Sequence, residues 1–277
     1  MTKIETYPKR VVVELTPECN LSCPMCPRKY IENKSGFMQE ALYKKIIDDI
    51  AVNNSDSIML PFWRGESLLH PRFIAMIDYA LAKSIRIHIS TNGILVKGEY
   101  ALTLAKCEFT TFSIHNKEGF ENAKAMLSLK KCDKPTTQVS FVKGEAVLDK
   151  VLPSIIKTGN LCGFDSVRVY EEHTKDGVFG KSGGVVDTER IFCPKLTDTL
   201  VIAFDGSISR CNHIWDTEGE ANAAEMTIKE LWSSECLQKI RGGYPDRLCG
   251  PCDQWIGHTR GESWRVKDNK SEHLIFK

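Results

Sequence analysis

Six short β-rich runs recur through the first part of the chain, and their spacing constrains the fold more than any other feature. They are Val11–Leu15, Ser57–Phe62, Ile85–Ile89, Thr110–Ile114, Gln138–Val142 and Ser166–Val169. After the first gap, successive starts fall 25–28 residues apart, room for a strand, a helix and two short loops. The intervening stretches carry helical periodicity. Leu42, Ile46, Ile47 and Ile50 mark the first, and Phe73, Ile74, Ile77, Ala80 and Leu81 follow Pro71 in the second. Val147, Val151, Leu152, Ile155 and Ile156 mark the fifth. Six β–α units predict a parallel sheet that right-handed crossovers curl into a partial (β/α)6 barrel.

Several runs alternate apolar and polar residues. Ile85, Ile87 and Ile89 share one face and Arg86, His88 and Ser90 the other. Thr111, Ser113 and His115 oppose Thr110, Phe112 and Ile114, and Val167 and Val169 oppose Ser166, Arg168 and Tyr170. Glu14 interrupts the first run. A closed eight-stranded barrel fills its interior with branched apolar side chains. A polar face in strand after strand predicts instead a barrel left open around a polar ligand. A solvated antiparallel sheet would alternate in the same way, but the intervening helices argue against it.

Composition narrows the function. Lys plus Arg number 37 against 36 Asp plus Glu, for a formal net charge of +1. That balance argues against nucleic acid or an anionic membrane as the main partner. No apolar run approaches the length of a bilayer span, and the N-terminus lacks the apolar core of a signal peptide, so a cytoplasmic protein is expected. Eleven cysteines are the anomaly. The odd number forbids complete internal pairing, and without an export signal metal or redox chemistry is the expected use.

Three of them, Cys19, Cys23 and Cys26, form Cys-x3-Cys-x2-Cys immediately after the first run. The loop after a strand lies at the mouth of a parallel barrel, where active sites are built. Three clustered thiolates need a metal to offset their repulsion. Zinc with a histidine would serve, and so would a four-iron cluster with one iron left open. The triplet in this position resembles the signature of the radical S-adenosylmethionine (SAM) enzymes. That resemblance implies that SAM chelates the fourth iron and is cleaved to a 5′-deoxyadenosyl radical that abstracts hydrogen from a substrate. Trp63-Arg-Gly-Glu-Ser sits where the family has Gly-Gly-Glu-Pro, implying SAM contacts from Gly65 and Glu66. Ser90-Thr-Asn-Gly implies contacts from Ser90 and Asn92, and Ser113 occupies another such position. Met25, Arg64 and Ser67 depart from the family pattern.

A second group, Cys193, Gly206-x4-Cys211 and Cys249-Gly-Pro-Cys252, lies beyond a polar, glycine-rich stretch. A Cys-x2-Cys alone also suits a zinc ribbon. Together with the strand Leu200–Phe204 and a single helix carrying Ile228, Leu231, Trp232 and Ile240, the group resembles the shortened SPASM, or twitch, domain of radical SAM enzymes. This implies an auxiliary 4Fe–4S cluster held by Cys193, Cys211, Cys249 and Cys252. The expected organisation is a partial barrel over 1–170, a linker or mobile loop over 171–190, and the auxiliary-cluster domain over 191–277.

The expected activity is radical dehydrogenation of a small polar molecule, an aminocyclitol or sugar. The auxiliary cluster would accept an electron and a flavodoxin- or ferredoxin-type protein would be the reductant. His88 and His115, on the polar face, are candidates for taking a proton, and Arg168 for binding an anion or hydroxyl. Two alternatives stand beside it. Peptide modification or epimerisation uses the same toolkit, although the early first strand leaves little room for a peptide-recognition domain. An epimerase would also need a thiol donor, and Cys107, Cys132 and Cys162 precede strands while Cys236 lies on the C-terminal helix. A non-catalytic zinc or electron-transfer protein is the alternative of another class.

Overall fold

The computed structural model describes residues 4–32, 35–54, 56–130, 134–143, 149–150, 153, 161–172, 190–252, 255, 261–267 and 270–276. The expected linker over 171–190 and the residues marking the fifth helix, Val147, Val151, Leu152, Ile155 and Ile156, lie almost wholly outside them, as does Cys132. Among the described residues no helix is long and apolar enough to cross a membrane. The chain forms two compact units: Met1–Ile87 with His173–His258, and His88–Glu172 with Thr259–Lys277.

The first unit contains β1 (Arg10–Val13), α1 (Glu40–Asn53), β2 (Ile58–Leu60) and α2 (Phe73–Ala82), and the first two residues of β3 (Arg86–Thr91). Strand β1 is parallel to β2, and β2 to the start of β3, as the β–α period predicts. Val11, Val12, Val13, Ile47, Ile50, Met59 and Ile77 are buried in its core. Tyr43 spans the two helices by donating to the Met76 carbonyl at 2.8 Å.

The cysteine-rich segment joins this same sheet. Its first strand, β7 (Thr199–Ile202), runs parallel to β1 on the edge away from β2. Strands β8 (Ser207–Ser209) and β9 (Glu218–Asn222) then continue antiparallel. Helix α5 (Pro194–Asp198) leads into β7. The single helix expected around Trp232 is instead two, α6 (Ile228–Trp232) and α7 (Glu235–Gly242). Ser233 donates its hydroxyl back to the Lys229 carbonyl at 2.8 Å, and Ser234 takes the N-cap of α7. Serine competes with the helical ladder in this way, and the break follows. On α1, Lys45 donates to the carbonyls of Ala223, Ala224 and Met226, and Asp49 accepts from the Ile228 amide at 2.9 Å.

The second unit holds the rest of β3 with α3 (Gly98–Leu104), β4 (Phe109–Ser113), α4 (Lys117–Met126), β5 (Thr136–Val142) and β6 (Ser166–Tyr170). Strands β3 to β6 are parallel in sequence order. Phe112, Phe120, Phe141 and Phe164 pack with ring centroids 5.9–6.3 Å apart on the apolar face. A hairpin of β10 (Gly261–Lys267) and β11 (Lys270–Phe276) adds antiparallel to β6. This extension of the sheet by the C-terminal segment was not legible in the residue pattern.

One buried interaction ties these elements of the first unit together. Glu14, just past β1, is fully buried, and Arg64, after β2, is 8% exposed. Arg64 meets the carboxylate through both prongs of its fork, Nε to Oε1 at 2.8 Å and Nη2 to Oε2 at 2.6 Å. The Arg64 amide (3.2 Å) and the Phe204 amide (3.3 Å) also donate to Glu14, while Arg64 Nη1 donates to the Trp215 carbonyl at 3.3 Å. Arg64 is therefore a structural partner of Glu14. Removing one member strands a buried charge at a cost of about 3–5 kcal/mol. Glu14→Gln and Arg64→Met are expected each to destabilise the chain by that order, and the double variant to lose far less than their sum. Denaturant unfolding of the four chains checks this, and additive losses would contradict it.

Candidate functional site

The two cysteine groups both fall in the first unit. Cys19, Cys23 and Cys26 are half-buried in the loop after β1. The loop is pinned around them. Thr16 Oγ1 donates to the Gly36 carbonyl at 2.6 Å and accepts from the Glu18 amide at 3.1 Å, and Arg28 Nε donates to the Pro17 carbonyl at 2.6 Å. The Cys26 amide closes a turn on the Cys23 carbonyl at 3.0 Å.

The predicted motif after β2 packs directly on this loop. A Cβ at Gly65 would lie 2.3 Å from the Thr16 oxygen and 2.4 Å from the Glu18 oxygen, both backbone, so only glycine permits the approach. The next amide, Glu66, donates to the Glu18 carbonyl at 2.7 Å. The buried Glu66 carboxylate accepts from the Leu68 amide at 3.2 Å. Ser67 is buried and donates to the Pro61 carbonyl, a bond that a proline at this position could not make.

Burial pushes the Cys19 thiol up; the Leu21 amide opposes this, and the charges of Glu66 and Cys26 add to it. Charge on Cys26 thus opposes ionisation of Cys19, and bound cations would relieve it. Three thiolates on one partly exposed loop fit a four-iron cluster with one iron left to an outside ligand.

The second group converges from three places in the chain. Cys193 precedes α5, Cys211 follows β8, and Cys249 and Cys252 share a turn closed by the Cys252 amide on the Cys249 carbonyl at 3.2 Å. All four line one cavity, with Leu196, Ile214 and Trp255 on its apolar wall. Burial pushes the Cys211 and Cys249 thiols up to about 11 and raises that of Cys193. Among the described residues no three His, Cys, Asp or Glu side chains are gathered closely enough to hold one metal ion. Four thiols spread around a cavity fit a cluster in which each meets its own iron.

Residues outside the motifs build this site. Asp246 Oδ1 accepts from the amides of Leu248 (3.0 Å) and Cys249 (2.9 Å), and its other oxygen pairs with Arg210, which also pairs with Glu218. Trp63 Nε1 donates to the Asn212 carbonyl at 3.1 Å, beside Cys211. The only sequence signal for Arg210, Asp246 and Asn212 is their nearness to cysteines.

The remaining candidates lie in the second unit. In the Ser90-Thr-Asn-Gly turn, Asn92 Oδ1 accepts from the Ile94 amide at 3.0 Å. Gly93 has φ +83°, and a Cβ there would meet the Gly119 carbonyl at 2.6 Å. Ser113 Oγ lies 3.2 Å from His115 Nε2, so two candidates form a pair. Ser113, Ser140 and Arg168 stand level across β4, β5 and β6, forming one row on the sheet. Arg168 is 9% exposed, its guanidinium 5.2 Å from the Tyr170 ring centre, and burial lowers its pKa. His88 stands apart, level with Phe109 at the start of β4 and hydrogen-bonded to Glu108 at 3.1 Å. Ser90 is level with Thr111.

Residues 13–144 match the Radical SAM superfamily, and residues 193–253 match SPASM, an iron–sulfur cluster-binding domain. A tungsten-containing aldehyde ferredoxin oxidoreductase cofactor-modifying protein of Pyrococcus furiosus is 36% identical over 99 residues. That stretch is 35% of this chain and spans only 28% of the relative's length. Among solved structures, BtrN in complex with AdoMet and 2-DOIA superposes with a TM-score of 0.65 at 18% identity, covering 91% of this chain and 94% of BtrN. Streptococcus suis SuiB bound to precursor peptide SuiA gives 0.66 at 12% identity, covering 93% and 72%. The fold is the radical SAM α/β fold with a C-terminal SPASM domain. Its cofactors are SAM, a SAM-binding 4Fe–4S cluster and an auxiliary cluster. Cys19, Cys23 and Cys26 would hold the first cluster, and Cys193, Cys211, Cys249 and Cys252 the second.

Thiolates, not thiols, react with alkylating agents. In the metal-free chain at pH 8, Cys211 and Cys249, raised from 9.0 to about 11, are expected to react with iodoacetamide about a hundredfold more slowly than an unperturbed thiol. Because the shift is upward, the rate should climb steadily to about pH 11. Mass spectrometry of quenched samples reads this, and rates equal to the unperturbed thiol's would contradict it.

Proposed function

We infer that this radical SAM superfamily enzyme, with its SPASM domain, is an oxidoreductase that dehydrogenates a small polar substrate, an aminocyclitol or sugar. The carrying observation is the cavity in the SPASM segment lined by all four cysteines of the second group. Together with the triplet it resembles the pattern of 2-deoxy-scyllo-inosamine dehydrogenase. The likeness to BtrN, in complex with AdoMet and 2-DOIA, supports the same reading along nearly the whole of both chains. When bound, SAM and its cluster supply a hydrogen-abstracting radical, and the auxiliary cluster supplies an acceptor for one electron.

The chain's own residues supply the rest. Gly65 and Glu66 shape the SAM site beside the triplet, and Ser90, Asn92 and Ser113 are its further proposed contacts. Arg168, buried in a row with Ser113 and Ser140, would bind a substrate hydroxyl or anion, because a desolvated guanidinium gains from such a partner. His115 Nε2, 3.2 Å from Ser113 Oγ, would take the hydroxyl proton as the carbinol becomes a ketone. His88 is proposed as the weaker candidate, since Glu108 already holds its Nε2 near the start of the strands. A flavodoxin- or ferredoxin-type protein in the cytoplasm is the proposed reductant.

Peptide modification is the second reading, favoured by the likeness to SuiB bound to its precursor peptide. One observation speaks for dehydrogenation over epimerisation. Cys107 is buried with its thiol directed at the Thr103 carbonyl, so it is not the exposed hydrogen donor that an epimerase would use.

A panel of aminocyclitols, sugars and peptides incubated in heavy water tests the reading, with product mass as the readout. The expected product is lighter by two hydrogens and is still formed after Cys107, Cys132, Cys162 and Cys236 are each replaced by Ala. Unchanged formula with one solvent deuterium would establish epimerisation instead. His115→Ala should lower ketone formation by roughly 10²–10⁴-fold while 5′-deoxyadenosine still forms, and His88→Ala should cost far less. The reverse order would reassign the base.

A further inference from the structure

Arg190 reaches the auxiliary cavity from outside the cysteine motifs, and no role above uses it. Its guanidinium donates to the carbonyls of Cys249 at 3.0 Å, Gly250 at 2.9 Å and Cys252 at 3.2 Å. It also lies 4.9 Å from the Trp255 ring centre and lines the cavity formed by the four cysteines. A planar guanidinium can hold three carbonyls of one turn while its flat face stacks on an indole, a combination that a compact ammonium lacks. Two of the four thiols thus sit on a loop whose backbone is gathered by this one side chain.

Its charge is as informative as its geometry. Arg210, which reaches the Cys249 thiol, is met by the carboxylates of Glu218 and Asp246. Among the described residues Arg190 forms no ion pair; its partners are carbonyls, the Trp255 ring and the Tyr244 hydroxyl. Lys195 lines the same cavity. Arg190 and Lys195 thus place two cationic side chains on the wall that carries Cys249 and Cys252, in partly desolvated surroundings where charges interact strongly.

We propose that Arg190 is a positioning residue of the auxiliary site, which clamps the Cys249–Cys252 loop and biases the loaded cluster toward accepting an electron. The proposal rests on the dehydrogenase reading. There the substrate radical loses one electron as its hydroxyl proton goes to the base, a ketone forms, and the auxiliary cluster is reduced by that one electron. Reduction adds negative charge to the cluster, so a nearby cation favours it; net charge and hydrogen bonding are among the protein's levers on such potentials.

The test uses the full chain with Cys19, Cys23 and Cys26 replaced by Ala, reconstituted with iron and sulfide so that the auxiliary cluster alone titrates. Arg190→Met is expected to make reduction tenfold less favourable, 59 mV for a one-electron couple. Arg190→Lys, which keeps the charge, should stay within threefold of the parent. A potential in Arg190→Met within threefold of the parent, or an equal fall in both variants, would overturn the charge role. The clamp is read without any cluster. In the metal-free chain both variants should speed alkylation of Cys249 and Cys252 at least fivefold and leave Cys193 and Cys211 unchanged, so a variant that fails to load still reports. Unaltered rates at Cys249 and Cys252 would overturn the clamp. A parent chain that takes up no iron would sink the two-cluster reading and this proposal together, whereas a loaded cluster indifferent to Arg190 would sink this proposal alone.

Discussion

The Glu14–Arg64 ion pair is the interaction on which the arrangement of the first unit depends. A carboxylate with no solvent exposure persists in a protein interior only when it is paired and hydrogen-bonded. Glu14 joins three segments: its own at the end of β1, the one after β2 whose Arg64 fork and amide meet its carboxylate, and the one after β7 that supplies the Phe204 amide. These are the segments that carry or adjoin the Cys19 loop, the Gly65-Glu66 turn and the cysteine module. Trp63 and Arg64 extend the connection to the carbonyls of Asn212 and Trp215, close to Cys211. One desolvated pair thereby fixes the loop that bears the triplet against the segment that bears the other four cysteines.

The cysteine loops are held by backbone rather than by their thiols. Gly65 lets two loops touch where any side chain would collide with Thr16 and Glu18 oxygens. Asp246 and Arg190 gather the amides and carbonyls around Cys249 and Cys252. Such preorganisation sets the loops before any metal arrives, and burial raises the thiols of Cys193, Cys211 and Cys249 above the ordinary range. Assembly of a cluster must then release protons, so loading of the second group is coupled to pH. In the second unit, the Ser113–Ser140–Arg168 row places hydroxyls and a guanidinium side by side at one level of the sheet.

Much of this was legible in the residues. The 25–28-residue period yields the parallel strands in order, and the alternation in Ile85–Ser90 and Thr110–His115 is matched by their burial. The departures were less legible, because they are settled by partners distant in sequence. Arg64 reads as a solvated loop residue until Glu14, fifty positions earlier, is found against it. Ser233 and Ser234 carried a signal for the helix break, but Trp232 and Ile240 kept the apolar period running through them. The pairing of β10 with β6 joins segments about ninety residues apart and leaves no local mark. Arg190 and Asp246 act through backbone groups, which no side-chain pattern reports.

In the proposed function, two separate cysteine sets would hold two clusters, and the triplet alone would serve SAM cleavage. The direct measurement is anaerobic reconstitution followed by iron, sulfide and 5′-deoxyadenosine assays on the parent and on the chain with Cys19, Cys23 and Cys26 replaced by Ala. The parent should carry about eight irons and the variant about four, if each site holds a four-iron cluster. Only the parent should form 5′-deoxyadenosine, while the variant keeps the spectrum of its remaining cluster. Undiminished 5′-deoxyadenosine from the variant, or zinc in both sites of the parent, would contradict the account.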